Sequence, residues 1–529
     1  MNTKKHIEII GKYSATSCGV IQYFVREPCT ATHEYSFLMY FLILFLSTVI
    51  GCVTPRPIIT SRPGITPRDP VNQLQKDITA ILSDSIFIST HATIKVVSVE
   101  NGQVLYEHDC NALMNPASNI KLITSAAALS VLDTGYQFKT FVFVDDLTAD
   151  GNVAHNIYLK GFGDPDLASS DLDSLAFIVH RIGINTIVNN IIVDDSFFDD
   201  NYWGDGWSWD DESDPDAPFI NALSIDKNCI LVNVTTDSST ISVSLIPNTD
   251  FVTVINRAAI APDSVRIPLK VRRLSGSNNN TIVIEGDILQ YSQLTRKIPL
   301  SNPSLYAGVL FEESLRRAGV SISGEVVNGV VPGGLSEIAH WEHPISTVIQ
   351  SMNKQSDNLS AENILKVIGA VENTIPGSAK KGVFIEKRFL SALGMDTTKF
   401  SVVDGSGISR YNLFSAHQLV NFLVAMKKQP RLFPVFYNTL PIAGVDGTLS
   451  NRMNDSPVTG NLRAKTGTLN GASCLSGYVE TRDGEMLAFS MLMQNFIASP
   501  SVYRLAQDKI GSVLAGFSRV MRAQTIQTK

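Results

Sequence analysis

The stretch NPASNIKLITSAAALSVLDTG, residues 115–135, reads as a helix with chemistry in its first turn. Pro116 and Ser118 suit a helix start, the alanines favour its interior and Gly135 ends it. Just upstream, HATIKVVSVENGQVL (91–105) reads as a hairpin in which two β-branched runs meet at Glu100-Asn101-Gly102. A strand pair therefore leads into a helix whose opening turn carries Ser118 and Lys121. Residues three apart share a helical face, so hydroxyl and amine can meet there. A lysine desolvated in a cleft sheds its proton more readily and can then take one from the serine. The helix N-terminus favours the negative charge developing on the serine oxygen. The same spacing recurs at Ser224/Lys227, Ser351/Lys354 and Ser378/Lys381, which read as ordinary surface.

Working outward, Val71–Leu82 has the apolar spacing of an amphipathic helix. Between about 140 and 299 the texture changes to short β-branched runs separated by polar turns, the pattern of a β-rich insertion. Helical patterning returns in LYAGVLFEESLRRAG (305–319), SMNKQSDNLSAENILKVIGAV (351–371) and AHQLVNFLVAMKK (416–428). A second hairpin, CLSGYVETRDGEMLAFSMLMQN (474–495), and a helix over 501–514 close the chain. Strands at both ends, with helices and an insertion between, predict an α+β domain interrupted by a second unit.

Two further clusters carry chemistry. Ser356-Asp357-Asn358 precedes a helix and supplies a hydroxyl and a carboxamide. Lys465-Thr466-Gly467-Thr468 precedes an apolar strand; its lysine brings positive charge, its threonines can grip a carboxylate, and glycine permits close approach of a substrate backbone. Singly, Ser356 reads equally well as a helix cap and K-T-G as a surface turn. The ordered set S-x-x-K, S-D-N, K-T-G is far rarer than its parts, and is shared by class A β-lactamases and penicillin-binding proteins.

On these motifs the chain resembles the class C low-molecular-mass penicillin-binding proteins, the D-alanyl-D-alanine carboxypeptidase/endopeptidase family (peptidase family S13). The 238 residues separating Ser118 from Ser356 leave room for the additional domains this family inserts there. GFGDPDL (161–167), LYAGVLFEESLRRAGV (305–320), DGSGISRYN (404–412) and GVDGTLSNRM (444–453) also look like family segments. The resemblance implies a penicillin-binding/serine β-lactamase-like catalytic domain at 73–140 and 300–520, with inserted β-rich domains at 141–299. It implies Ser118 as acylated nucleophile, Lys121 as its base, and Ser356 and Asn358 on the facing wall. Lys465, Thr466, Gly467 and Thr468 would serve proton relay and the substrate carboxylate. The substrates implied are D-alanyl-D-alanine stem peptides of peptidoglycan, cross-linked ones included, with β-lactams as covalent inhibitors. A serine β-lactamase or esterase, and a catalytically silent wall-binding protein, are the rival readings.

No cofactor and no metal are expected. His340 and His343 lack an HExxH pattern and a third ligand, and the acidic run 210–216 lacks the glycine and terminal glutamate of a calcium loop, reading instead as a solvated loop or, beside Trp203, Trp207 and Trp209, as a flank of the cleft for cationic side chains. The formal net charge of -7 gives no footprint for nucleic acid. Cys110, Cys229 and Cys474 are too widely spaced for a disulfide framework and read as small buried hydrophobes.

Ahead of the body, FLMYFLILFLSTVI (37–50) has the length of a signal-peptide apolar region and is followed by Gly51 and Cys52. This ending resembles a lipoprotein signal, which makes Cys52 the expected lipidation site; a plain signal peptide or an N-terminal anchor would equally export the body. Residues 1–52 are thus a leader and signal, and the Pro-rich 53–72 a tether from the membrane to an exported, envelope-located body.

Overall fold

Both expected hairpins form, and they pair with each other. Strands His91–Ser98 and Val104–His108 turn at Gly102, and strands Ala472–Glu480 and Met486–Gln494 turn at Gly484, each glycine at positive φ. With Arg463–Leu469 they make a five-stranded antiparallel sheet in the order 463–469, 472–480, 486–494, 91–98, 104–108. His91 lies opposite Gln494, so the two ends of the described chain close one sheet. The structure, a computed structural model, describes residues 69–261, 267–274, 280–454 and 457–520. The expected leader, Cys52 and nearly all of the tether lie outside them. The first helix starts at Pro70, capped by Asp69, within the expected tether range.

Strand alternation sends side chains to two layers. Ile94, Val96, Leu487, Phe489 and Met491 meet the helices Pro70–Leu82 and Pro500–Gly516 on one face. Val97, Cys474, Tyr478, Ala488 and Leu492 meet a thicker helical layer on the other. At its centre is the helix Ile120–Val131, buried continuously from Ile120 to Leu129 against the helices Ile345–Gln355, Asn358–Asn373 and Ala379–Ala392. A helix buried on every side, its Lys121, Thr124 and Ser125 included, sits inside the core and anchors the Ala117–Asn119 turn that precedes it.

Residues between about 142 and 339 form a second core. A five-stranded mixed sheet, ordered 326–328, 191–194, 157–161, 137–144, 337–344, is covered by the packed helices Ser169–Arg181 and Pro303–Arg317. Smaller three-stranded sheets, including 293–299/229–236/241–246 and 253–260/281–288/270–273, extend it. The β-rich texture hid the helix Ser169–Arg181. The core also continues past 299: Tyr306, Phe311, Leu315, Ile322 and Ala339 pack with Val142, Leu159 and Val193. The helix expected at 305–319 forms but belongs to this core, because periodicity reveals an apolar face without revealing which partner covers it.

Among the described residues, no helix is long and apolar enough to cross a membrane. Cys110, Cys229 and Cys474 are buried free thiols.

Candidate active site

Ser118 sits in a short 3-10 turn, Ala117–Asn119, immediately before the α-helix begins at Ile120. Ala117 is held at φ 47°, left-handed for a residue with a side chain. Asn115 secures that strained turn: its Oδ1 accepts from Ala117 N at 2.8 Å and its Nδ2 donates to Ser409 O at 2.9 Å. The turn lifts the serine to the cleft while Lys121 stays in the core. Lys121 is fully buried, and its Nζ donates to Ser118 Oγ at 3.1 Å, to Ser406 O at 2.6 Å and to Asn358 Oδ1. Burial drives its pKa down to about 8, against the pull of the Asp404, Glu362, Asp357 and Asp216 carboxylates.

The segment DGSGISRYN turns out to build the floor behind this lysine. Buried Asp404 accepts from Ser409 N (2.7 Å), Gly407 N (2.9 Å), Asn412 Nδ2 (2.6 Å) and Trp207 Nε1 (3.1 Å), gathering the loop around one carboxylate. Glu362 accepts from Gly405 N (3.1 Å) and Ser406 N (2.8 Å), which aims the Ser406 carbonyl at Lys121. Burial, with the Asp404 charge adding to it, pushes the Glu362 carboxyl above the usual carboxylate range. Gly407, at φ 88°, lies so close to the Ala117–Asn119 turn that a Cβ there would lie 2.0 Å from Ala117 O.

Ser356-Asp357-Asn358 is the break between two helices, directly ahead of the helix it was expected to precede. Ser356 takes a left-handed conformation, φ 62°, that ends Ile345–Gln355, and Asp357 caps Asn358–Asn373 by accepting from Ser360 N at 2.7 Å. Ser356 Oγ accepts from Lys465 Nζ at 2.8 Å, and Asn358 Nδ2 donates to Asp216 O at 2.6 Å. Lys465, fully buried on the edge strand Arg463–Leu469, is pushed well below the usual lysine range by burial and then by the Lys121 charge. Gly467 answers a constraint the sequence did not disclose: a Cβ there would lie 2.8 Å from Asn119 Nδ2 and 2.9 Å from Pro116 O. The glycine thus lets the strand press against the Ala117–Asn119 turn. Thr466 Oγ1 donates to Thr448 Oγ1 at 2.8 Å, and Thr468 is exposed.

Ser118, Ser356, Asn358, Thr466 and Thr468 line one cleft of about 690 Å³. Both signs of charge line it: Asp211, Asp214 and Asp216, from the acidic run read chiefly as a solvated loop, and Arg410, Arg452 and Arg504. Two lysines read as ordinary surface are structural: Lys354 is buried with Asp446 Oδ2 at 2.7 Å, and Lys227 pairs with Asp166 and Asp357. His343 and His340 pair with the carboxylates of Asp164 and Glu337. Asp404, Glu362, Thr448 and Arg504 were missed as members of the site. The only sequence signal was that Asp404 and Thr448 fall in segments already marked as family-like.

A family profile described as the D-Ala-D-Ala carboxypeptidase 3 (S13) family matches residues 74–516. The D-alanyl-D-alanine carboxypeptidase of an Actinomadura species is 33% identical over 466 residues, 85% of either chain. The D-alanyl-D-alanine carboxypeptidase DacB of Haemophilus influenzae is 28% identical over 409 residues, 75% of this chain and 84% of that one. The crystal structure of penicillin binding protein 4 from the same organism covers 82% of this chain and 97% of its own, at 24% identity and a TM-score of 0.74, which establishes the shared fold.

Proposed function

The chain belongs to the D-Ala-D-Ala carboxypeptidase 3 (S13) family, and from that premise we propose that its acyl transfer runs through Ser118, Lys121, Ser356 and Lys465. The protein is a serine-type D-alanyl-D-alanine carboxypeptidase that hydrolyses peptidoglycan peptides and is acylated by penicillin. The observation that carries the residue assignment is the pairing across one cleft: Lys121 Nζ against Ser118 Oγ at 3.1 Å, and Lys465 Nζ against Ser356 Oγ at 2.8 Å.

Neutral Lys121 takes the Ser118 proton as Oγ attacks the carbonyl carbon of the penultimate D-alanine. Backbone N–H groups of Ser118 and Thr468 hold the oxyanion, a contribution typically worth about 3 kcal/mol per donor. The C–N bond then breaks, and the departing amine receives a proton through Ser356, backed by Lys465. Thr466 and Thr468 hold the leaving residue's carboxylate, and Asn358 the acyl-side peptide. Water attacks the Ser118 ester, giving the shortened peptide and restoring the serine. Asp211, Asp214 and Asp216 suit a cationic side chain on the acyl portion. The body is exported and tethered to the membrane by a lipid on Cys52, with the inserted part running from about 137 to 344.

The test is intact-mass analysis of residues 53–529 after incubation with penicillin, beside Ser118→Ala. A persistent adduct that requires Ser118 supports the acyl-enzyme. Rapid consumption of penicillin without an adduct points to a β-lactamase instead, and a folded protein that neither labels nor consumes it is a binding protein on an enzyme's scaffold.

A further inference from the structure

The cleft holds a guanidinium that the acyl-transfer steps above leave unused. Arg504, on the helix Pro500–Gly516, lines the same cleft as Ser118, and its Nη2 donates to Thr468 Oγ1 at 3.2 Å. Neighbouring Arg452 also lines the cleft, but its charge is answered by Asp508, with Nη2 to Oδ1 at 2.6 Å and Nε to Oδ1 at 3.0 Å. Among the described residues no ion pair engages Arg504. It is half-buried, and burial and then the adjacent Arg452 charge make its protonated form costlier than usual, against a partial pull from Asp508. Two arginines side by side with one carboxylate between them leave a surplus of positive charge directed at the cleft end of the K-T-G strand. A guanidinium presents paired donors that fit a carboxylate, and such charge-assisted bonds are about twice as strong as neutral ones.

We propose that Arg504 is a specificity-determining residue: with Thr468 it binds the α-carboxylate of the substrate's leaving residue. This rests on the assignment of Ser118 and of Thr466 and Thr468 made above. Arg504 takes no part in proton transfer. Its contribution is a preference for substrates ending in an anion over equally sized neutral ones.

The experiment compares kcat/KM for an acyl-D-Ala-D-Ala peptide and for its C-terminal carboxamide, using residues 53–529 as wild type, Arg504→Gln and Arg504→Lys. Wild type should prefer the free acid by about tenfold or more, and Arg504→Gln should lose roughly tenfold on the acid while changing about twofold or less on the amide. Arg504→Lys should recover part of the preference. An equal loss on both substrates reveals a structural role and overturns the proposal. So does an unchanged acid-to-amide ratio, or a wild-type enzyme that does not distinguish the two. Should Arg504→Gln lack a cooperative thermal transition, Arg504→Met is read in the same way. A wild type that turns over neither substrate and forms no penicillin adduct contradicts the Ser118 assignment and this one together.

Discussion

Lys227 places its ammonium 3.1 Å from Asp357 Oδ2, in the middle of the S-D-N turn. The same ammonium contacts Asp166 of the GFGDPDL segment and donates to Ser360 Oγ at 3.0 Å. It stands on three successive residues at positive φ, Asp226, Lys227 and Asn228, a costly backbone kept where surrounding contacts over-determine it. Trp207 Nε1 bonded to Asp404, Lys366 bonded to Asp199 and Asn363 bonded to Asn221 O add further crossings. Residues 166–227 therefore help hold one wall of the cleft.

Replacing Lys227 by Met removes the cation that offsets burial and keeps Asp357 below the usual carboxylate range. The S-D-N turn should loosen, moving Ser356 and Asn358. Acylation by penicillin should slow on the order of tenfold or more, since small misplacements at reacting centres are expensive, and Lys227→Arg should restore much of the rate. Time-resolved intact-mass labelling with a parallel thermal melt separates this from global unfolding.

Gly407 and Gly394 have nearly the same backbone, φ 88° and 84°, but only Gly407 has neighbours that a Cβ would strike. Gly394→Ala should cost about 1 kcal/mol in stability and leave acylation unchanged. Gly407→Ala should displace Ala117 and Ser118, reducing acylation on the order of a hundredfold. Thermal unfolding and penicillin labelling of the two variants side by side check the contrast.

The acylation rate should rise with pH and level off above about 8, where Lys121 loses its proton. The sign follows from its proposed role: protonated, it cannot accept the Ser118 proton. Because the folded value lies below that of a free lysine, the unfolded chain binds the proton more tightly between about 8 and 10.5. This group's penalty is complete below that window and is relieved as pH rises through it. A rate profile flat from pH 6 to 9 contradicts the assignment.

Glu386, buried behind the site, is raised from 4.5 to about 8 by burial, with the Glu362 and Asp404 charges adding to it. The native state thus holds a proton that the unfolded chain releases between those values, and stability falls as pH rises through that window. Glu386→Gln should match the wild type near pH 5 and exceed it at pH 9, by on the order of a few kcal/mol. Denaturant melts at the two pH values measure the difference.

The sequence by itself determined what is local. Ser118 and Lys121 share a helical turn, Asn101-Gly102 and Asp483-Gly484 turn hairpins, and the alternation of β-branched residues and the ordered motifs locate the sheet and the cleft. Spacing along a chain fixes which side chains share a face, so these features were legible. What covers that face, and which charge answers another, was decided only in three dimensions. The helix 303–317 joined the second core, Ser224-x-x-Lys227 became a clamp while Ser118-x-x-Lys121 brought hydroxyl and amine together at the cleft, and Arg504 reached Thr468 across 36 residues. A buried charge is tolerable only beside its partner, and that partner is supplied by the tertiary structure, wherever in the chain it happens to lie.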